Sequence, residues 1–266
     1  MDLSSVKTFL LDMDGTFYLG QSLLPGALSF IKTLKKQGKS FYFLTNNSSQ
    51  NALFYTQKLK NMGLTEITPE QIITSGEACA WYLSQQKKHP RVFLLGTRAL
   101  EIELMRRGIT IVERRPDFVV LGFDLSLTYA KLQKACLLIR EGTPLVVTHP
   151  DLNCPTEAGP IIDAGSLVKA IEASTGCHPK FMGKPHPELI TYILSRLQTK
   201  KEEIAMVGDR LYTDIALGKN SGITSILVLT GETKLEEIET SPWKPDFVFS
   251  SLKELSCYLE SPIPSK

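Results

Sequence analysis

The chain has 266 residues, 42% hydrophobic and 22% charged, enough apolar material for a sizeable core and too much for widespread disorder. Lys and Arg number 30 against 28 Asp and Glu, and the resulting net charge of +2 gives no electrostatic reason to expect nucleic acid or an anionic membrane as partner. The five cysteines (Cys79, Cys136, Cys154, Cys177 and Cys257) show no C-x-x-C spacing, which argues against a zinc site or a dithiol and fits reduced thiols in a cytosol.

Short runs rich in Val, Ile, Leu and Phe predict strands at residues 8–11, 40–44, 92–95, 118–121, 145–148, 204–207, 224–229 and 246–249. The first, which follows Lys7, is too short for a signal-peptide core, and no apolar run approaches the roughly 18 residues of a membrane span. A cytoplasmic protein is expected. The first strand runs straight into Asp12 and Asp14, with Gly15 placed to turn the chain. Residues 26–37 carry Leu28, Ile31 and Leu34 at helical spacing, with Gly38 as the stop. The second strand delivers Thr45, Asn46 and Asn47 to its end. Thr97 and Thr128 stand where helix N-caps belong. After the strand at 145–148 comes Thr148-His149-Pro150-Asp151; "MGKPHPE" places Lys184 in a loop, and "EIAMVGDR" ends a late strand in Gly208 and Asp209, with Asp214 following. Continuous apolar strands, each followed by a helix, predict an α/β fold with parallel sheets covered on both faces.

The acidic and polar signals cluster near residues 12–47 and 184–214. An economical layout is a discontinuous core, residues 1–84 and 179–266, with a second module inserted at 85–178.

Residues i and i+2 of a strand share a face, so Asp12 and Asp14 can converge on the crevice where open α/β folds bind ligands. Two adjacent carboxylates repel, and something must offset that cost. Four carboxylates at or near strand ends, with few histidines in the chain, favour Mg²⁺ over zinc. A lysine and a hydroxyl added to them suit a phosphoryl group.

"DMDGT" (12–16), Thr45, Lys184 and "GDRLYTD" (208–214) occur in the order of the four motifs of haloacid dehalogenase (HAD) superfamily phosphohydrolases. The combination D-x-D-G-T, T-N-N, G-K-P and G-D-x-x-x-T-D resembles most the NagD-like, or p-nitrophenyl phosphatase-like, branch. The middle of the chain resembles that branch's large α/β cap. The resemblance implies a Rossmann-like parallel-sheet core with an inserted cap. It further implies a Mg²⁺-dependent phosphatase acting on small phosphomonoesters such as sugar phosphates, nucleotides and p-nitrophenyl phosphate. Asp12 would be the nucleophile and carry an aspartyl-phosphate, and Asp14 the acid and base. Asp12, the Asp14 main-chain carbonyl and Asp209 would hold Mg²⁺, with Asp214 beside them. Thr45 and Lys184 would hold phosphoryl oxygens, with Asn46 as a neighbouring donor. His149 replaces the asparagine of the branch's usual Thr-Asn-Pro-Asp loop, which makes it a candidate reader of the leaving group. Cap-to-cap association in the family allows a homodimer.

Each residue also has an ordinary reading. Asp-Gly is a common turn pair, a loop lysine is commonly solvated, Asp214 suits a helix start, and a lone histidine is commonly structural. A phosphotransferase or mutase would use the same site. A regulatory phospho-acceptor would combine similar groups in about half the length, without the second aspartate.

Overall fold

The computed structural model describes residues 3–156 and 158–261. Its strands are β1 (Thr8–Leu11), β2 (Tyr18–Leu19), β3 (Ser22–Leu23), β4 (Ser40–Thr45), β5 (Ile72–Thr74), β6 (Arg91–Leu95), β7 (Thr110–Ile111) and β8 (Phe118–Leu121). They continue as β9 (Leu145–Val147), β10 (Asn153–Cys154), β11 (Ile161–Ile162), β12 (Lys180–Phe181), β13 (Ile204–Gly208), β14 (Thr224–Val228) and β15 (Phe247–Phe249). All eight predicted strands are present, with ends shifted by at most one residue. The strands that went unpredicted have two or three residues each, too few to carry a periodicity.

The chain forms two compact units. The first takes the residues up to Leu44, Thr56–Ile72 and those from Ile193 onward. Its sheet has the order β15-β14-β13-β1-β4, with β5 at the edge beyond β4. The pairings β14–β15, β13–β14, β1–β13 and β1–β4 are all parallel. Every residue of β1 and of β13 is buried, which explains why both read as unbroken apolar runs. Leu11 stands opposite Val207, so the two central strands leave the sheet side by side. The helix Ala27–Lys36 is tied to the helix Leu252–Glu260 through Thr33, whose hydroxyl lies 2.7 Å from Ser256 Oγ and donates to Glu260 at 2.8 Å.

The second unit takes Thr45–Tyr55 and Ile73–Tyr192. Residues 85–178 fall inside the longer of these two stretches. Its sheet, β12-β9-β8-β6-β7, is parallel throughout. Side chains alternate across a strand, and here both faces are apolar. Phe93, Leu95, Val119, Leu121 and Val147 pack on one core with Ala135 and Ile171, while Val92, Leu94, Val120 and Val146 pack on another with Leu83 and Leu104. Helices therefore cover both faces. The capping threonines act as predicted: Thr97 accepts from Leu100 N at 3.4 Å and Thr128 from Lys131 N at 3.2 Å. No described helix is long and apolar enough to cross a membrane.

Glu103, on the helix Arg98–Arg106, is buried in this unit and accepts from the Thr74 hydroxyl at 2.8 Å and from Ala52 N–H at 3.3 Å. Burial pushes its carboxyl up to about 7, aided by the Glu77 charge and opposed by the Thr74 and Ala52 hydrogen bonds and by Arg106. A carboxyl whose pKa is higher folded than unfolded binds more protons when folded, so it favours the folded state at low pH. That advantage is lost as pH rises from 4.5 toward about 7. Glu103→Gln is expected to remove a decline in unfolding free energy over that window of up to roughly 3 kcal/mol. Denaturant titrations of both proteins at pH 4.5 to 8 measure it; identical pH slopes would refute the assignment.

Candidate active site

The end of β1 and the end of β13 bring three carboxylates together. Asp12 N–H donates to Val207 O at 2.9 Å, which carries the β1–β13 ladder one residue past β1. Asp12, Asp209 and Asp214 each offer a carboxylate oxygen, and the three atoms lie within 4.8 Å of one another. Asp209 and Asp214 are buried and Asp12 is partly so. The chain is cut back around them. A Cβ on Gly208 would stand 2.2 Å from Asp214 Cγ, and one on Gly15 or Gly231 would stand 2.4 or 2.0 Å from Asp209 Oδ2. Only backbone without a side chain fits at these three positions.

The cluster's charge is partly answered by protein donors. Asp209 Oδ1 accepts from the Thr16 hydroxyl at 3.2 Å and Oδ2 from Glu232 N–H at 2.7 Å, while Asp214 Oδ2 accepts from Arg210 N–H at 3.1 Å. The Arg210 guanidinium stands 2.9 Å from Glu232 Oε2. Its burial opposes the charge, but Tyr212, Asp12, Asp209 and Glu232 outweigh burial and hold it firmly protonated. Three hard oxygen donors on a glycine-lined frame fit a divalent cation that prefers oxygen.

Asp14 stands outside this cluster. It is exposed, on the turn in which Thr16, Phe17 and Tyr18 N–H all point at Met13 O and Gly15 N–H donates to Tyr18 O at 2.8 Å. Lys58, half-buried with its ammonium 3.8 Å from the centre of the Tyr18 ring, has its pKa lowered by burial against the opposing pull of Asp14.

In the second unit, Thr45 ends β4 and its hydroxyl accepts from Asn47 N–H at 3.1 Å. Asn46 and Lys184 are both buried and directly bonded: Lys184 N–H donates to Asn46 Oδ1 at 2.8 Å, and Asn46 Nδ2 donates to Lys184 O at 3.0 Å. Asn46 Nδ2 also lies 3.1 and 3.2 Å from the two oxygens of Asp151.

His149 is fully buried, and each of its ring nitrogens has a partner: Thr148 Oγ1 and Asp163 Oδ1, both at 2.8 Å. Thr148 Oγ1 in turn lies 2.9 Å from Ser48 Oγ, which accepts from Phe123 N–H at 2.9 Å. Burial pulls the imidazole pKa down. The Asp163 hydrogen bond and charge, with Asp151, more than reverse that against Lys184, and the pKa ends above its usual value.

Sequence reasoning overlooked three participants. Arg210 was in plain view, next to Asp209 in "GDR". Asp163 caps the helix Ala164–Thr175, accepting Ala164 N–H at 2.6 Å, and nothing in the linear pattern ties it to His149. Asp151 is quoted with the loop, but its hydrogen bond to Asn46 spans 105 positions.

Residues 9–110 match the haloacid dehalogenase-like hydrolase family, and residues 181–255 match the HAD-hydrolase-like family. An acid sugar phosphatase of Staphylococcus haemolyticus is 36% identical over 97% of this chain and 98% of its own length. The 5'-nucleotidase YutF of Bacillus subtilis is 37% identical over 97% of this chain and all of its own. Among solved structures, a 4-nitrophenylphosphatase from Thermotoga maritima superposes with a TM-score of 0.94 at 52% identity, covering 97% of this chain and 99% of that one. A glycerol phosphate phosphatase from Mycobacterium tuberculosis, solved in complex with calcium, gives a TM-score of 0.88 at 32% identity, covering 95% of this chain and 75% of that one. The motifs at Asp12, Thr45, Lys184 and Asp209 thus lie in a chain that belongs to the haloacid dehalogenase-like hydrolase family, in its NagD-like and p-nitrophenyl phosphatase-like branch.

Proposed function

We propose that this hydrolase is a Mg²⁺-dependent phosphatase of small phosphomonoesters, sugar phosphates, nucleoside monophosphates and aryl phosphates among them, working through an aspartyl-phosphate. The observation that carries the reading is the gathering of Asp12, Asp209 and Asp214 oxygens within 4.8 Å of one another at the tips of the two central strands. The names of the relatives, all phosphatases or a nucleotidase, support the same reaction class.

In this reading a carboxylate oxygen of Asp12, ionised at neutral pH, attacks phosphorus, and the bond from phosphorus to the ester oxygen breaks. Asp14 gives its proton to that oxygen, so the alcohol leaves neutral. The Asp14 carboxylate then takes a proton from a water that attacks the aspartyl-phosphate, which frees inorganic phosphate and restores Asp12. The exposure of Asp14 suits a group that must meet both a leaving oxygen and a water. Asp12, Asp14 through its main-chain carbonyl, Asp209 and Asp214 would hold Mg²⁺, whose charge would offset that of the phosphoryl oxygens. Thr45 and Lys184 are assigned the hydroxyl and the ammonium that would meet those oxygens, and residues 85–178 are assigned to the cap.

With p-nitrophenyl phosphate and Mg²⁺, Asp12→Asn is expected to lower kcat by at least about a thousandfold, because an amide cannot form the acyl phosphate. Wild-type protein quenched during turnover should carry a phosphoryl group on Asp12 by mass spectrometry, and full activity in the variant would end the proposal. Removal of divalent ions with EDTA should abolish release of phosphate, and Mg²⁺ should restore it. Mg²⁺ at about a hundred times its dissociation constant should also add about 2.7 kcal/mol to unfolding free energy. That gain should shrink in Asp209→Asn; an equal gain in the variant would place the cation elsewhere.

A further inference from the structure

We propose that Asn46 is a positioning residue: its carboxamide, anchored by Asp151, clamps the main chain of Lys184 and so sets where the lysine's side chain starts. The inference rests on the phosphatase reading, in which Lys184 holds a phosphoryl oxygen, and it assigns Asn46 a role different from donation to the phosphate. A carboxamide has two N–H donors and one carbonyl acceptor. Here Oδ1 takes the Lys184 N–H at 2.8 Å, and Nδ2 serves the Lys184 carbonyl at 3.0 Å and the Asp151 carboxylate at 3.1 and 3.2 Å. One side chain therefore satisfies both polar main-chain groups of one residue, and its donors are already committed.

The clamp is held from both ends. A Cβ on Gly183 would come within 2.6 Å of Asn46 Oδ1 and of Thr148 O, so the chain entering Lys184 lies flush against the amide and the end of β9. The Asp151 carbonyl accepts Gly165 N–H at 2.8 Å, in the first turn of the helix Ala164–Thr175, and a Cβ on Gly165 would stand 2.0 Å from Pro150 O. The Asn46 carbonyl accepts the Ser75 hydroxyl. The lysine's main chain is thereby referred to a rigid helix start through two side chains. Aspartate at position 46 would keep the acceptor for Lys184 N–H, lose both donors, and face the Asp151 carboxylate with like charge.

That asymmetry supplies the test, with p-nitrophenyl phosphate and Mg²⁺ as the assay and amide hydrogen exchange at Lys184 as a readout independent of turnover. Asn46→Ala and Asn46→Asp are each expected to lower kcat/KM by about a hundredfold, the scale at which a small misplacement of a binding group is felt. Asp151→Asn, which keeps an acceptor, should cost about fivefold or less by the same reasoning. The double variant Asn46→Asp with Asp151→Asn restores a donor–acceptor pair and should recover at least about tenfold over Asn46→Asp alone. Exchange of the Lys184 amide should accelerate at least about tenfold in Asn46→Ala. A double variant no better than Asn46→Asp, or an unchanged Lys184 exchange rate, overturns the clamp; should Asn46→Ala not fold, the reciprocal pair decides. Wild-type protein without phosphomonoesterase activity would refute the function proposed above, and the exchange measurement would still judge the clamp.

Discussion

Three carboxylate oxygens within 4.8 Å of one another are the constraint around which the first unit is built. At an effective dielectric constant of about 20, each like-charged pair at that distance costs about 3 kcal/mol, so three pairs approach the net stability of a whole domain. No folded chain keeps such a cluster without built-in compensation. The Thr16 hydroxyl, the Glu232 and Arg210 amides and the Arg210 guanidinium each face it. The parallel register makes the gathering unavoidable: β1 and β13 run side by side in one direction, and both end in aspartate at the same edge. Gly208, Gly15 and Gly231 then let Asp214 and Asp209 lie against bare backbone.

The second unit handles polar groups by the opposite strategy. Its buried polar side chains neutralise one another in closed sets. Asn46 spans Lys184 and Asp151, while His149 links Asp163 to Thr148 and Ser48. A buried polar group without a partner costs about 1–3 kcal/mol, so each member holds the next in a single orientation. An imidazole at position 149 thus completes a structural chain from the Phe123 amide to the Asp163 carboxylate. It has no exposed surface, and both of its nitrogens are engaged.

Sequence made some of this legible and concealed the rest for definite reasons. The α/β fold could be read because β1, β6, β8 and β13 are buried on both faces and leave continuous apolar runs. Edge strands such as β7 and β12 are two residues long and leave no trace. Asp12 and Asp209 were visible because each directly follows such a run or its closing glycine. The Asn46–Asp151 and His149–Asp163 pairs were not, since hydrogen bonds over 105 and 14 positions have no period. Asn46 shows the difference most plainly, since its bonds to Lys184 and Asp151 appear only in the fold. An amide beside a strand-end threonine reads as an anion donor until its partners are known.

The two strategies answer two different demands, one in each unit. On the phosphatase reading, repulsion among the Asp12, Asp209 and Asp214 carboxylates is what a bound cation would relieve, so its binding would stabilise the fold. On the same reading Lys184 would meet an anion from a defined position, and holding its main chain in advance would lower the cost of ordering it on binding. Repulsion is therefore concentrated where two fully buried strands can tolerate it, and satisfaction is concentrated around the lysine's main chain. The division also accounts for the residue types. A carboxylate only accepts and can share its oxygens between protein donors and a cation, whereas a carboxamide donates and accepts at once and so meets both main-chain groups of one residue.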